Sequence, residues 1–201
     1  FKNHIIQFKL INRNKRTIIC SKKKNQNLFN FTVGGMGLTG IICSCKFKLK
    51  KIKTDLIYQE KIRNKNLHET IKSIKNSNNW EYNVAWIDTS ANYKDLGRSI
   101  LIRGNHVKKI DKNLVSKELY ENNFSIPNIF PNWFMNKFFI KILNSLYYYL
   151  TNLKKRYLHL NNFFYPLDRI NNWNLFYGKD GFISYPCLLP RKNANVALKK
   201  I

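Results

Sequence analysis

Three sets of side chains in this sequence have types that could carry chemistry: four cysteines, four histidines and a cluster of glycines. Cys43 and Cys45 lie two apart, a spacing that sends both side chains to one side of a strand. A structural zinc site needs four Cys or His donors, and neither residue stands near this pair. Reduced, buried thiols are the reading, and Cys20 and Cys187 lie far off in the chain. His4, His68, His106 and His159 are scattered, so neither a metal set nor a Ser/His/Asp relay has support. The sequence names no catalytic base and no metal ligand.

The glycines are more informative. Gly34-Gly35-Met36-Gly37-Leu38-Thr39-Gly40, read from Gly35, satisfies G-x-G-x-x-G. A Rossmann dinucleotide site needs strand, then glycines, then helix, with an acidic residue about twenty positions on. Here the glycines precede a β-branched run, Ile41-Ile42-Cys43, and no helix pattern follows, which argues against a nicotinamide site. The cluster does offer backbone with little side-chain bulk, whose N–H and C=O groups can approach a flat ligand or its pyrophosphate. A loop whose glycines merely let two strands turn is the plain alternative.

The elements around these residues follow from periodicity. Ile5–Ile11 and Arg16–Cys20, separated by Asn12-Arg13-Asn14-Lys15, predict a hairpin. Leu28–Val33 predicts a short helix or turn before the glycines. The alternation Cys45-Lys46-Phe47-Lys48-Leu49-Lys50 predicts a half-buried strand continuing from Ile41. After Lys53 the pattern resets. Thr54–Lys61 predicts a strand and Leu67–Ser77 a helix stopped by the Asn76–Asn79 run. Glu81–Asp88 and Arg98–Gly104 predict an antiparallel pair, and Asn136–Leu150 an aromatic-rich helix packed in a core. Strands are expected at Leu158–Phe164 and Gly181–Leu189, and a final helix after Pro190. Pro127 and Pro131 make Ser125–Trp133 irregular.

The chain has 201 residues, 44% hydrophobic and 14% aromatic, which is enough apolar mass for a core and excludes global disorder. Its 36 Lys and Arg against 11 Asp and Glu give a net charge of +25. Such a balance raises nucleic acid as a partner, and a basic nucleic-acid-binding protein without enzymatic activity is the alternative reading. The basic residues are mostly lysines, evenly spread, and travel with Asn, Ile, Phe and Tyr, all residues of AT-rich codons. Genome composition therefore accounts for the charge, and no nucleic acid is expected. Phe138–Leu150 comes nearest to a membrane span but is too short and carries Lys141 and Asn144.

Several blocks, in order, carry a resemblance. The stretch from Asn27 through Thr32-Val33-Gly34-Gly35-Met36-Gly37-Leu38-Thr39-Gly40 to Ile41-Ile42 resembles the end of the FAD-binding domain in oxidases of the vanillyl-alcohol-oxidase type. Tyr82–Asp88, Leu96-Gly97-Arg98-Ser99, Phe130-Pro131-Asn132 with Asn136-Lys137, Phe164–Asp168 with Trp173-Asn174, and Tyr177-Gly178 with Gly181-Phe182 are similar to later family blocks. Within that group the chain resembles the decaprenylphosphoryl-ribose oxidase family, the flavoprotein part of an epimerase that makes the arabinose donor of cell walls.

The resemblance implies an α+β fold: residues 1–53 as the C-terminal part of an FAD-binding domain and residues 54–201 as the N-terminal part of an antiparallel-sheet substrate, or cap, domain. It implies an internal fragment of an FAD-dependent oxidoreductase that takes hydride from a CH–OH group of a polyprenyl-phosphoryl ribose or related sugar. The implied partners are that sugar, a nicotinamide-dependent reductase, and the membrane that a lipid substrate occupies; the implied location is the cytoplasm at a membrane. Cofactor contacts fall on Gly35, Gly40, Ile41 and Ile42, and substrate contacts on Trp86 and Phe164. Phe164 stands where the family usually has a tyrosine. Leu175, Ser184 and Pro186 stand where the family has a basic residue and two glutamines, which implies a pocket less suited to a phosphorylated sugar.

Overall fold

The computed structural model describes residues 2–91, 93–108, 124–126, 136–177, 181, 183–190 and 192–198. The chain divides into two compact units, residues 1–52 and 53–201. The fold is α+β, with two antiparallel sheets, a short parallel pair and five α-helices among the described residues.

The first unit holds β1 (Ile5–Ile11), β2 (Thr17–Ser21), α1 (Gln26–Thr32) and β3 (Ile41–Phe47), with strand order β2-β1-β3. Asn12 closes the predicted hairpin, its Oδ1 accepting the N–H groups of Asn14 and Arg16 at 3.0 Å each. Ile5, Phe8 and Leu10 of β1, Cys20 of β2 and Phe29 of α1 form the core. The Phe8 and Phe29 rings stack at 5.4 Å, so the seven-residue helix is held by packing rather than by its own propensity. The register of β3 against β1 slips between Lys9 and Leu10, where Ser44 and then Ile42 are the partners and Cys43 is left over as a bulge. Cys45 is half-buried and Cys43 exposed, so the expected pair of buried thiols is corrected at Cys43.

The second unit is built on a sheet of β4 (Leu56–Asn64), β5 (Tyr82–Ile87), β6 (Ser99–His106) and β8 (Arg156–His159), in the order β5-β6-β4-β8 and antiparallel throughout. The pair Phe124–Ser125 (β7) and Ile170–Asn171 (β9) is parallel. Helices α2 (Leu67–Lys75), α3 (Lys137–Leu150), α4 (Leu160–Phe164) and α5 (Ala194–Leu198) complete it. Asn66 caps α2 by accepting the Glu69 N–H, and Asn136 caps α3 by accepting the Phe139 N–H.

Register assigns the faces. Trp86, Ile100 and Arg63 stand side by side, followed along the strands by Val84, Ile102 and Lys61, then Tyr82, Gly104 and Gln59. The opposite face carries Ser99, whose hydroxyl meets Thr70 of α2 at 2.7 Å, and Asn64, which accepts from Ser73 at 2.6 Å. Helix α2 therefore covers one face. Helix α3 lies on the other, where Arg63 Nε donates to the Tyr148 carbonyl at 2.8 Å.

Three expectations change. Helix α3 is not enclosed: Tyr148 is buried, whereas Phe138, Leu146, Tyr149 and Leu150 are exposed. The strand expected at Leu158–Phe164 stops at His159, whose imidazole Nδ1 accepts the Asn161 N–H and starts α4, so Phe164 sits on a helix. No strand forms among the described residues of Gly181–Leu189, where Ile183, Tyr185 and Leu188 are almost fully exposed. Pro186 has no N–H for a ladder. Residues 127–133 of the expected irregular segment lie outside the described residues.

Candidate functional site

The glycine turn joins α1 to β3, the order read from the sequence. Gly34, Gly37 and Gly40 have φ of +81°, +80° and +138°, a region open mainly to glycine. A Cβ on Gly35 would collide with the Phe31 carbonyl, and one on Gly40 with the Ile11 carbonyl. These two glycines are thus required by the fold itself: one seats the turn against α1, the other lets β3 join β1. Part of the turn's backbone is satisfied within it: the Gly35, Leu38 and Gly40 N–H groups donate to the Thr32, Gly35 and Gly37 carbonyls at 3.0, 3.0 and 3.3 Å. Thr39 Oγ1 donates to Thr32 Oγ1 at 2.9 Å.

Those three engaged N–H groups are no cradle for a pyrophosphate. What the turn presents is apolar: Met36 and Leu38 are about 90% exposed, Ile41 72% and Ile42 49%. Beside them, β3 lacks a second partner strand among the described residues, which leaves main-chain donors and acceptors along its edge. An uncharged surface with spare peptide groups fits a flat heteroaromatic ring.

Trp86 and Phe164 lie over one face of the second sheet, in separate aromatic clusters. The Trp86 ring meets Tyr147 of α3 edge-on at 4.7 Å. The Phe164 ring meets Tyr82 of β5 at 4.8 Å. Tyr82 precedes Trp86 by four residues on the same strand, which separates the clusters by about 14 Å at about 3.4 Å per residue. Between them Val84 is left 57% exposed, with Ile102 and Lys61 beside it in register. Gly104 shows why α4 can lie so close: a Cβ there would come 2.7 Å from the Phe163 ring. Burial, and then Arg156, lower the Lys61 pKa from its ordinary value. Of the three departures, Leu175 lies in a 3₁₀ turn (Trp173–Tyr177), and Ser184 and Pro186 lie in the exposed segment with no regular structure.

The most constrained polar group of this unit escaped the sequence reading. Asp88 is fully buried at the end of β5 and receives Arg98 Nε at 2.9 Å, Ser90 Oγ at 2.7 Å and Asn144 Nδ2 at 3.0 Å. Arg98 also donates to Ser145 Oγ of α3 at 2.7 Å, and its guanidinium lies 4.8 Å from the Tyr148 ring centre. One carboxylate and one guanidinium therefore tie β5, β6 and α3 together, and so place Tyr147 against Trp86. Gly97, with φ +74° and no room for a Cβ beside Leu67, completes the turn. The blocks Tyr82–Asp88 and Leu96–Ser99 held the signal, an acid and a base flanking one loop. Their pairing is visible only once the strands are in register.

Among the described residues no three His, Cys, Asp or Glu side chains converge on a point, and no helix is long and apolar enough to cross a membrane. No family model matches the chain. A sequence relative does: decaprenylphosphoryl-beta-D-ribose oxidase of Mycolicibacterium smegmatis (strain ATCC 700084 / mc(2)155), 30% identical over 200 residues. The match takes in 94% of this chain and 43% of that protein. The chain is thus a relative of that oxidase, similar to it over nearly all of its own length and spanning less than half of the other's.

Proposed function

We propose that this chain is a portion of an FAD-dependent oxidoreductase acting on a CH–OH group of a sugar, of the polyprenyl-phosphoryl ribose type or related to it. The observation that carries the reading is the 30% identity over 200 residues to an oxidase named for such a substrate. In this reading residues 1–53 close a vanillyl-alcohol-oxidase-type FAD domain and residues 54–201 begin the substrate domain. FAD, when bound, would accept hydride from the sugar carbon while the hydroxyl proton passes to a base or to solvent, leaving a ketone. A nicotinamide-dependent reductase acting on that ketone is the proposed partner.

The chain's own residues then have positioning roles. Gly35 and Gly40 shape the turn, and Ile41 and Ile42 offer apolar surface and a strand edge to the flavin ring. Trp86 and Phe164 bracket the strip at Val84 and Ile102, where the clusters leave room for an apolar or sugar portion of the substrate. Lys61 and Arg156, on that same face, bring positive charge toward a phosphoryl group. The exposed side of α3 carries Phe138, Leu146, Tyr149 and Leu150 with Lys137 and Lys141, a composition suited to a membrane interface. That supports contact with the membrane in which a lipid-linked substrate resides, on the cytoplasmic side that the resemblance implies.

Titration of FAD fluorescence with the 201-residue chain tests the cofactor contacts. Saturable quenching that Ile42→Asp removes, with the fold retained by circular dichroism, is the expected result. Quenching that does not saturate, or that is indifferent to Ile42→Asp, would overturn the assignment.

A further inference from the structure

The turn after α2 and the end of β6 border an open cleft of about 640 Å³. That volume lies within the range of small-molecule sites, about 300–1,000 Å³. One wall is aromatic. Tyr58 stacks on Trp80 at 5.9 Å with 13° between the planes, and meets Tyr157 edge-on at 5.6 Å. Trp80 is fixed further by the Arg103 guanidinium, 4.6 Å from its ring centre. Arg103 is itself held by Glu60 at 2.9 Å and by Ser77 Oγ at 3.1 Å. The rings are therefore set before any ligand arrives, which lowers the ordering cost of binding.

The remaining lining is polar except for Val107: three amides together with Glu81, His106 and Lys108. Asn78, Asn79 and Asn105 border the cleft. The carbonyl of Asn105 accepts the Glu81 N–H at 2.8 Å, which orients the side chain. An amide both donates and accepts, as a sugar hydroxyl does, whereas aromatic faces pack on the C–H faces of a sugar ring. The charges at the rim oppose each other: Glu81 would repel an anion and Lys108 a cation. Tyr58, Tyr157 and Asn105 are in register on the α2 face of the sheet, opposite Trp86 and Tyr82. The aromatic wall is thus on the α2 face, and the cleft borders the Tyr82–Phe164 cluster only at His106, which also lines it and whose Nε2 lies 3.2 Å from the Tyr82 hydroxyl.

We propose that this cleft binds an uncharged polyhydroxylated ring, a neutral sugar or glycoside, at a site independent of the flavin reading. Saturation-transfer difference NMR on the 201-residue chain tests it, with methyl β-D-glucopyranoside as the neutral probe and glucose 6-phosphate as its anionic counterpart. The expected result is saturable transfer to the ring protons of the glycoside and weaker transfer to the phosphate ester. The exposed double substitution Asn78→Ala/Asn79→Ala should weaken glycoside binding by about fivefold or more. Trp80→Ala should abolish it; should that variant fail to fold, the double variant decides alone. Lys9→Ala, at an exposed position of β1, should leave it unchanged. Absence of saturable transfer, indifference to the double substitution, or tighter binding of the phosphate ester that Lys108→Ala removes would each overturn the proposal. Ile42→Asp, which tests the flavin contact, should not alter glycoside transfer, so the two readings fail separately.

Discussion

Asp88 shows how a single residue can report on the whole second unit. Burial by itself would push its carboxyl pKa up, but hydrogen bonds from Ser90, Arg98 and Asn144 outweigh it and hold the value below the ordinary one. A carboxylate with a lowered folded-state value contributes stability above its unfolded value, about 3.9, and loses it as pH falls through the folded value. Unfolding of residues 53–201 should therefore become easier below about pH 4, as followed by near-UV circular dichroism. Asp88→Asn should cost about 3–5 kcal/mol at neutral pH, because Arg98 then keeps a buried charge without a counter-ion, and should flatten that acid dependence. Lys61 has the opposite sign. Its lowered value means that the charged form costs stability at neutral pH, a cost that fades as pH rises toward the unfolded value of about 10.4. Lys61→Met should raise stability by about 1 kcal/mol or less in denaturant melts. The glycines give a graded test. Gly37→Ala meets open space and should cost about 1–2 kcal/mol for its left-handed φ alone. Gly40→Ala adds a collision with the Ile11 carbonyl and should cost clearly more.

At the scale of elements, α3 has two sides with different duties. Its inner side carries Asn144, Ser145 and Tyr148 to the Asp88–Arg98 pair and the Arg63 guanidinium, which fixes the helix on the sheet. Its outer side is apolar and exposed. If that side meets a lipid surface, the chain should co-sediment with vesicles of neutral lipid at about 200 mM salt, where charge attraction is screened, and Leu146→Gln/Leu150→Gln should release it without changing the melting temperature. Retention of the double variant on vesicles would refute the α3 assignment. The β5–β6 pair and the helix after β4 were legible in sequence because each is a local pattern: alternation in Tyr82–Asp88, helical spacing in Leu67–Lys75 and an asparagine stop. Helix α4 was not legible. The stretch Tyr157–Phe164, aromatic and aliphatic residues interrupted by His159, Asn161 and Asn162, suits strand and helix alike, and the choice was made by His159 capping the next turn and by room over Gly104.

For the molecule as a whole, the charge of +25 sets an expectation about non-specific binding. Any retention on DNA should be sequence-independent and fall steeply between about 50 and 200 mM salt, since phosphate contacts alone would carry it. Tight sequence-selective binding at 200 mM would instead favour a nucleic-acid protein over an oxidoreductase. The surface proposed for the flavin is, among the described residues, one turn and one strand edge. FAD affinity of the 201-residue chain should therefore be weak, with a dissociation constant above about 10 μM in the fluorescence titration, because only contacts that are present contribute.

The sequence by itself determined the local events: the Asn12–Lys15 turn, the glycines ahead of a strand rather than a helix, the antiparallel pair at 82–87 and 99–106, and the α+β class. Each depends on side chains within a few positions of one another, where spacing alone selects the backbone. The ordered motif blocks also carried the resemblance to the oxidase. Only the tertiary structure decided that Trp86 and Phe164 share a sheet face yet sit in separate clusters, that Asp88 pairs with Arg98 and reaches α3, that one side of α3 is left open, and that three aromatic rings and three asparagines gather around one cleft. Those outcomes join residues tens of positions apart. They follow from strand register and from the need to pair each buried charge, and neither leaves a period in the chain.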